Sequence, residues 1–281
     1  MNFTKMHGIG NDFVIVDCMG TDGKALAAEA HSRSKELCDR NFGIGGDGVI
    51  LVLPGKSSSF RMQMFNPDGS EAEMCGNGIR CFAKYVFDRH LAEKVTDLPV
   101  ETGAGLLHVV PSFGADGMVN VVTVDMGEPV LTPSAIPTTL GQTSAVNVPL
   151  DLGDRELSVT AVSMGNPHAV IFVDDTVAFP VADVGPCVES HAAFPKRTNT
   201  EFIQVISRQE INFRVWERGA AETLACGTGA CAAVVACVLN AKTERNVLVH
   251  LPGGDLTIEW RQHDNHVYMT GPATEVFSGT I

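Results

Sequence analysis

Short runs rich in β-branched and aromatic residues, bounded by turn residues, dominate the hydrophobic pattern. Runs at 13–17, 49–53, 60–65, 106–110 and 119–124 predict strands, as do 157–162, 169–173, 200–207, 211–216, 247–251, 256–260 and 266–270. Helical period is clear at 79–93, where apolar side chains at 79, 82, 83, 86, 87 and 91 share one face. The stretch 230–240 is apolar nearly all round, which predicts a helix buried on every side. A weaker helical pattern covers 25–40. The mixture predicts an α+β fold in which sheets wrap central helices.

The chain also repeats itself. Met74-Cys-Gly-Asn-Gly-Ile-Arg-Cys81 opens the first clear helix, and Ala225-Cys-Gly-Thr-Gly-Ala-Cys231 opens the second. Upstream of each stands an aromatic strand end followed by a polar residue, Phe65-Asn66 and Trp216-Glu217, and then a glutamate, Glu71 and Glu222. Further upstream, the segment from Gly10-Asn11 to Asp17 resembles that from Gly165-Asn166 to Asp174. Matched features in the same order at similar spacing indicate a duplicated half. The turn Gly127-Glu-Pro129 suggests the division, and Gly271-Pro272 marks a second break. The expected halves are 1–126 with 272–281, carrying Cys75, and 127–271, carrying Cys226, with an active site in the cleft between them. Whether the last strand returns to the first half is left open by the sequence.

Composition narrows the function. With 281 residues and 44% hydrophobic content, the chain has enough material for two ordinary cores. A net charge of −13 argues against nucleic acid and against an anionic membrane surface as partners. The N-terminus has no basic region followed by an apolar run, and no apolar stretch is long enough to span a bilayer, so a cytoplasmic location is expected. Thiols stay reduced there, so the eight cysteines call for a role other than disulfide staples.

Each Cys-Gly-x-Gly lies where a turn gives way to a helix. A helix N-terminus presents unpaired N–H groups and partial positive charge. That should lower a thiol's pKa from about 8.5 toward neutrality. It also offers a seat for a carboxylate on the N–H groups of Gly76, Asn77, Gly227 and Thr228. Two such ends facing each other would set sulfurs on opposite sides of one carbon. One thiolate would remove an α-proton while the other thiol delivers one to the opposite face, and the helix ends would stabilise the enolate-like charge. Such chemistry requires neither a cofactor nor a metal.

The segments MCGNGIRC, MGNPH, RTNTEF, WERGAAETLACGTGAC and the opening MHGIGNDFVIVD together resemble the diaminopimelate epimerase family, and the likeness runs to the C-terminal YMTGPA. The resemblance implies two pseudo-symmetric domains, each a mostly antiparallel sheet around a central helix. It implies conversion of LL- to meso-diaminopimelate in lysine and peptidoglycan-precursor synthesis, by a homodimer. Cys75 and Cys226 match the proton-transferring pair, and His168 and Glu217 match residues that tune the thiols. Gly76, Asn77, Gly227 and Thr228 match the binding site of the reacting carboxylate. Asn11, Asn66, Asn166, Asn199, Glu217 and Arg218 match residues that hold the substrate, chiefly at its other end. One departure is Gly48, where some family members carry glutamine.

Other readings of the same residues are weaker. A zinc site would use paired cysteines at shorter spacing than Cys75–Cys81 or Cys226–Cys231. Gly43-Ile-Gly-Gly-Asp-Gly48 fits a dinucleotide fingerprint in letters, but a strand, not a helix, is predicted after it. Proline racemases and hydroxyproline epimerases resemble this architecture, but typically carry histidine where this chain has Asn77. Cys18, Cys38, Cys81, Cys187, Cys231 and Cys237 read as structural, as does Arg80; His7 and His31 show no constellation.

Overall fold

The computed structural model describes all 281 residues, and the chain divides into two compact units. Unit 1 comprises Met1–Asp125 and Thr270–Ile281, and unit 2 comprises Met126–Met269.

Unit 1 runs β1 (Asn2–Gly8), β2 (Asn11–Asp17), α1 (Gly23–Ser32), α2 (Ser34–Cys38), β3 (Gly48–Pro54), β4 (Phe60–Phe65), β5 (Glu71–Ala72), α3 (Gly76–Asp88), β6 (Leu98–Thr102), β7 (Gly105–Phe113) and β8 (Val119–Asp125). β1 is antiparallel to β2, β2 parallel to β3, and β3 antiparallel to β4. β4 takes β5 antiparallel and β6 parallel, and β6, β7 and β8 continue as antiparallel neighbours. The chain's last strand, Thr274–Thr280, pairs antiparallel with β1.

Unit 2 runs β9 (Val148–Asp151), β10 (Glu156–Ser163), β11 (Pro167–Phe172), α4 (Val181–Glu189), β12 (Asn199–Ser207), β13 (Glu210–Glu217), β14 (Ala221–Glu222), α5 (Gly227–Leu239), β15 (Asn246–Leu251), β16 (Gly254–Trp260) and the start of β17 (Val267–Pro272), whose residues from Thr270 on belong to unit 1. β10 is antiparallel to β11, β11 parallel to β12, and β12 antiparallel to β13. β13 takes β14 antiparallel and β15 parallel, and β16 follows antiparallel to β15. This is the pairing order of β1–β5, β6 and β7. The register repeats too: Phe13 opposes Gly48 as His168 opposes Asn199, and Phe65 opposes Glu71 as Trp216 opposes Glu222. The repeat in the sequence is therefore a repeat in the backbone.

Strands surround each central helix. α3 packs on β1, β2, β3, β7 and β8 through Ile79, Phe82, Ala83, Val86 and Phe87, all buried. α5 packs on β10, β11, β12 and β16 and is buried at every residue from Gly229 to Cys237. Its small Ala, Gly, Cys and Val side chains let strands close in on several sides at interior packing density.

Both helices stop in the same way. His90 and Ala241 take positive φ, 56° and 55°. Leu91 N–H then bonds Val86 O, and Lys242 N–H bonds Cys237 O, both at 2.9 Å, which ties off the last free carbonyls. α3 accordingly ends short of residue 93: Leu91 fits the apolar period but lies beyond the reversal. The helix expected over 25–40 is two helices, broken at Arg33. Pattern alone missed β1, β6, β9, the last strand, the two-residue strands β5 and β14, and α4. In α4 the helical signal is interrupted by Gly185-Pro186. Gly185 has a packing cause, since a Cβ there would lie 2.5 Å from the Trp216 side chain.

Candidate active site

Each candidate catalytic cysteine is the N-cap of a central helix. Cys75 caps α3 with φ −140° and ψ 118°, and Cys226 caps α5 with φ −124° and ψ 108°. This extended cap geometry leaves the next residues, Gly76-Asn77 and Gly227-Thr228, with first-turn N–H groups outside the helix ladder. At Cys75 the sulfur itself accepts the Gly78 N–H, at 3.4 Å.

In unit 1 an asparagine amide meets the thiol. Asn11 opens β2, and its Oδ1 accepts from Asn77 Nδ2 at 3.2 Å and from the Cys75 thiol at 3.6 Å. Asn11 Nδ2 donates to Asp47 at 2.6 Å. Asp47 also takes Arg40, at 2.7 Å, and Arg40 grips Asp12, which in turn pairs with Lys5 at 2.5 Å. Burial opposes ionisation of Asp12, but hydrogen bonds from Arg40 and Lys5 outweigh it and hold the carboxyl at about 2. A charge network thus anchors the asparagine that touches the thiol. Asn66, just after β4, bonds Ser70 Oγ at 3.0 Å and belongs to its own turn. Gly48 has no room for a side chain: a Cβ would lie 2.8 Å from Phe65 O.

In unit 2 the surroundings are ionisable. The Cys226 sulfur lies 3.6 Å from Thr228 Oγ1, which receives Asn166 Nδ2 at 3.3 Å. Asn166 Oδ1 is 2.9 Å from His168 Nε2, and His168 Nδ1 is 2.6 Å from Glu201 Oε1. Glu217, at the end of β13, accepts from Thr223 Oγ1. Asn199 is buried and holds backbone, its Oδ1 taking Arg218 N–H at 2.8 Å and its Nδ2 donating to Pro167 O at 3.2 Å. The Arg218 side chain is exposed, bonds Lys196 O at 3.2 Å and pairs with no carboxylate of the chain.

The electrostatics correct one expectation. A helix N-terminus alone should lower a thiol pKa, yet burial pushes the Cys226 thiol well above its ordinary value, with the charge of Glu217, and that of Glu201 whenever it is ionised, adding to the rise. Hydrogen bonds from Thr228 and the Gly229 N–H oppose the rise without overcoming it. Burial likewise raises the Glu201 carboxyl against the pull of His168.

The structure therefore brings together Cys75, Gly76, Asn77 and Asn11 in unit 1, and Cys226, Gly227, Thr228, Asn166 and His168 in unit 2. Glu201 was missed in the sequence. Its signal is its place in Asn199-Thr-Glu201: on a strand, residues two apart share a face, and β12 lies beside the strand carrying His168. Of the cysteines read as structural, Cys18, Cys38, Cys81, Cys231 and Cys237 are buried, but Cys187 is exposed on α4. Arg80 is fully buried, donating to Gly76 O and Pro272 O. No three His, Cys, Asp or Glu side chains are gathered as a metal site requires. No helix is long and apolar enough to cross a membrane.

Fold and site define a duplicated α+β protein with one N-cap thiol in each unit. The same fold occurs in a PhzF-family phenazine biosynthesis protein of Bacillus anthracis, with a TM-score of 0.70 at 17% identity over 99% of this chain and 98% of that one. It occurs also in a hydroxyproline epimerase of Agrobacterium vitis, with a TM-score of 0.70 at 14% identity over 100% and 90% of the two chains. In sequence, residues 3–132 and 160–276 match the family described as diaminopimelate epimerase. The diaminopimelate epimerases of Agathobacter rectalis and Acetivibrio thermocellus are 54% and 51% identical over the whole of this chain, covering 99% and 98% of their own lengths. The chain belongs to the diaminopimelate epimerase family and is an isomerase.

Proposed function

We propose that the protein interconverts LL- and meso-diaminopimelate by proton transfer between two cysteines at the α-carbon. Family membership supports the substrate. The observation that carries the mechanism is the placement of Cys75 and Cys226 at equivalent N-caps of equivalent helices, one in each half of a duplicated frame. In this reading both half-sites, the Cys75 half and the Cys226 half, serve one α-carbon. The first-turn N–H groups at Gly76-Asn77 and Gly227-Thr228 bind the reacting carboxylate and stabilise its enolate-like form. The thiol standing as thiolate takes the α-proton, and the opposite thiol gives its own to the other face. The proton count is restored with the two sulfurs exchanged, so the reaction runs in both directions.

The ordinary high pKa of a protonated thiol suits the donor, and burial favours that form at Cys226. Arg218, exposed and without a carboxylate partner in the chain, suits a bidentate grip on the second carboxylate of the substrate. Asn11, Asn66, Asn166 and Glu217 are polar groups for the second amino-acid centre, and Asn199 places the Arg218 backbone. His168 and Glu217 tune the thiols. No cofactor is part of this mechanism. The protein works as a homodimer in the cytoplasm, where the thiols stay reduced.

Incubation of the purified protein with LL-diaminopimelate in deuterated water should give meso product carrying solvent deuterium at the α-carbon, without added cofactor. Cys75→Ala and Cys226→Ala should each lower turnover by about 1,000-fold or more. Full turnover by both variants would end the two-cysteine reading.

A further inference from the structure

The mechanism above makes no use of Glu201. This carboxyl and the imidazole of His168 are both completely buried, 2.6 Å apart, inside unit 2. Glu201 Oε2 is buried as well and has no hydrogen-bond partner. A carboxylate with one oxygen unsatisfied in an apolar interior is costly, so the carboxylic acid is the favoured form. Burial of the group acts in the same direction.

Unit 1 shows that the frame does not need this acid to fold. The strand pairs β2–β3 and β11–β12 share their register, so Phe13 stands where His168 stands and Ile50 where Glu201 stands. The helices preserve the substitution. A Cβ on Gly78 would lie 3.0 Å from Ile50 Cδ1, and a Cβ on Gly229 would lie 2.8 Å from Glu201 Oε1 and 3.2 Å from Cys226 Sγ. An apolar pair fills the position behind one thiol, and an acid–imidazole pair fills it behind the other.

The hydrogen bonds from Glu201 form a chain with a direction. Glu201 O–H donates to His168 Nδ1, leaving the hydrogen of the neutral ring on Nε2. His168 Nε2–H donates to Asn166 Oδ1 at 2.9 Å, and Asn166 Nδ2–H donates to Thr228 Oγ1 at 3.3 Å. The Thr228 hydroxyl is then committed as a donor toward Cys226 Sγ, 3.6 Å away. Every link points at the sulfur, the arrangement a buried thiolate needs. With the opposite ring tautomer, the Asn166 amide would have to turn over and take the Thr228 hydrogen away from the sulfur.

We propose that Glu201 is a positioning residue: as a buried acid it fixes the His168 tautomer, and through Asn166 and Thr228 it keeps a hydroxyl donor aimed at the Cys226 sulfur. The inference rests on the proposed function for its catalytic consequence and on unit 2 alone for its structural one.

The test compares Glu201→Gln with Glu201→Leu in the full chain. The glutamine amide still donates to Nδ1 and keeps the direction of the chain; leucine does not. Glu201→Gln should turn over diaminopimelate within about threefold of the parent, whereas Glu201→Leu should lose about 10- to 100-fold in kcat with little change in KM. Nitrogen-15 NMR of histidine-labelled protein, with His168 assigned by its loss in His168→Gln, should show the Nε2–H tautomer in the parent and in Glu201→Gln. Leucine should release that preference. A His168 ring carrying hydrogen on Nδ1 in the parent overturns the proposal. So does a Glu201→Leu protein with parental kcat, or a folded Glu201→Gln protein as impaired as the leucine variant. If the parent itself fails to epimerise diaminopimelate, the proposed function falls, and the NMR arm still decides the Glu201–His168 arrangement.

Discussion

The two half-sites share a backbone and differ in what they put behind the sulfur. Cys75 is half-buried and meets the amide of Asn11, which also holds Asn77 and is anchored to the Lys5–Asp12–Arg40–Asp47 network. Cys226 is 5% exposed, with the buried His168–Glu201 pair linked to it through Asn166 and Thr228. Duplication fixes where a thiol stands relative to a helix end. It does not fix how readily that thiol ionises, because desolvation and neighbouring carboxyls act against the helix terminus and, at Cys226, exceed it. An enzyme that works on both faces of one carbon gains from this, since one sulfur must stand as base while the other stands as acid.

The hardest test of the comparison is the matched glycine pair. Gly229→Ala would set a methyl 2.8 Å from the Glu201 carboxyl and 3.2 Å from the Cys226 sulfur, whereas Gly78→Ala would meet the end of the Ile50 side chain at 3.0 Å. Overpacking against a fixed, hydrogen-bonded acid costs about 1–3 kcal/mol. A shift of Ile50 costs less, and the alanine returns about 1 kcal/mol of helix propensity in both cases. Denaturant unfolding should therefore place Gly229→Ala clearly below the parent and Gly78→Ala close to it, with activity lost more severely in the first. Equal losses in the two variants would mean that the position behind Cys226 is no more constrained than its counterpart.

Thiol reactivity sharpens the same contrast. Only the thiolate is alkylated, and each unit of pKa is a tenfold change in its fraction. With modification read site by site by peptide mapping, because the other cysteines, exposed Cys187 among them, react in both variants, iodoacetamide at pH 8 should modify Cys75 in Cys226→Ala at least about tenfold faster than Cys226 in Cys75→Ala. The Cys226 rate should still be climbing at a pH where an ordinary cysteine has levelled off. Comparable rates and pH profiles would erase the asymmetry drawn here.

Much of this was legible in the sequence, and the reasons differ by element. α5 was readable because a helix surrounded by strands must be apolar on all sides, and the duplicated Cys-Gly-x-Gly gave the N-caps. The α4 helix was not, because Gly185 answers to Trp216, a partner distant in sequence, and Pro186 follows it. β1 and the last strand pair with each other across the length of the chain, so neither carries a local turn signal for the other. The thiols were legible as residues and illegible as acids. The Cys226 pKa depends on burial first and then on Glu217 and Glu201, and the meaning of Glu201 comes from strand pairing with the segment of His168. The exposure of Cys187 was illegible for the same reason, since it is set by the face of α4 on which the residue falls.

The smallest expected effects lie in the outer charge clusters, where the two units should respond to pH with opposite sign. Asp12 is held at about 2 in the folded chain, below its ordinary 3.8, so its network stabilises the fold above about pH 4 and loses that contribution as pH falls toward 2. Asp12→Asn should cost about 1 kcal/mol at neutral pH after allowance for solvent screening, and only a small part of that near pH 2, where the folded carboxyl is half protonated. In unit 2, His250 sits between Glu210 and Asp255, each at 2.8 Å, and the pair raises its pKa, the Glu210 bond first. A raised histidine contributes below its ordinary pKa and loses that contribution as pH rises through the folded value. The His250 side chain is part-exposed and its ion pairs are open to solvent screening, so His250→Ala should cost less than about 0.5 kcal/mol at pH 5 and nothing measurable at pH 9. Denaturant unfolding of the two variants and the parent from pH 2 to pH 9 would read both signs. An Asp12→Asn penalty that persisted in full at pH 2 would show that the Lys5–Asp12–Arg40 contacts act by packing rather than by charge, and Asn11 would then lose the electrostatic anchor that sets the Cys75 half-site apart.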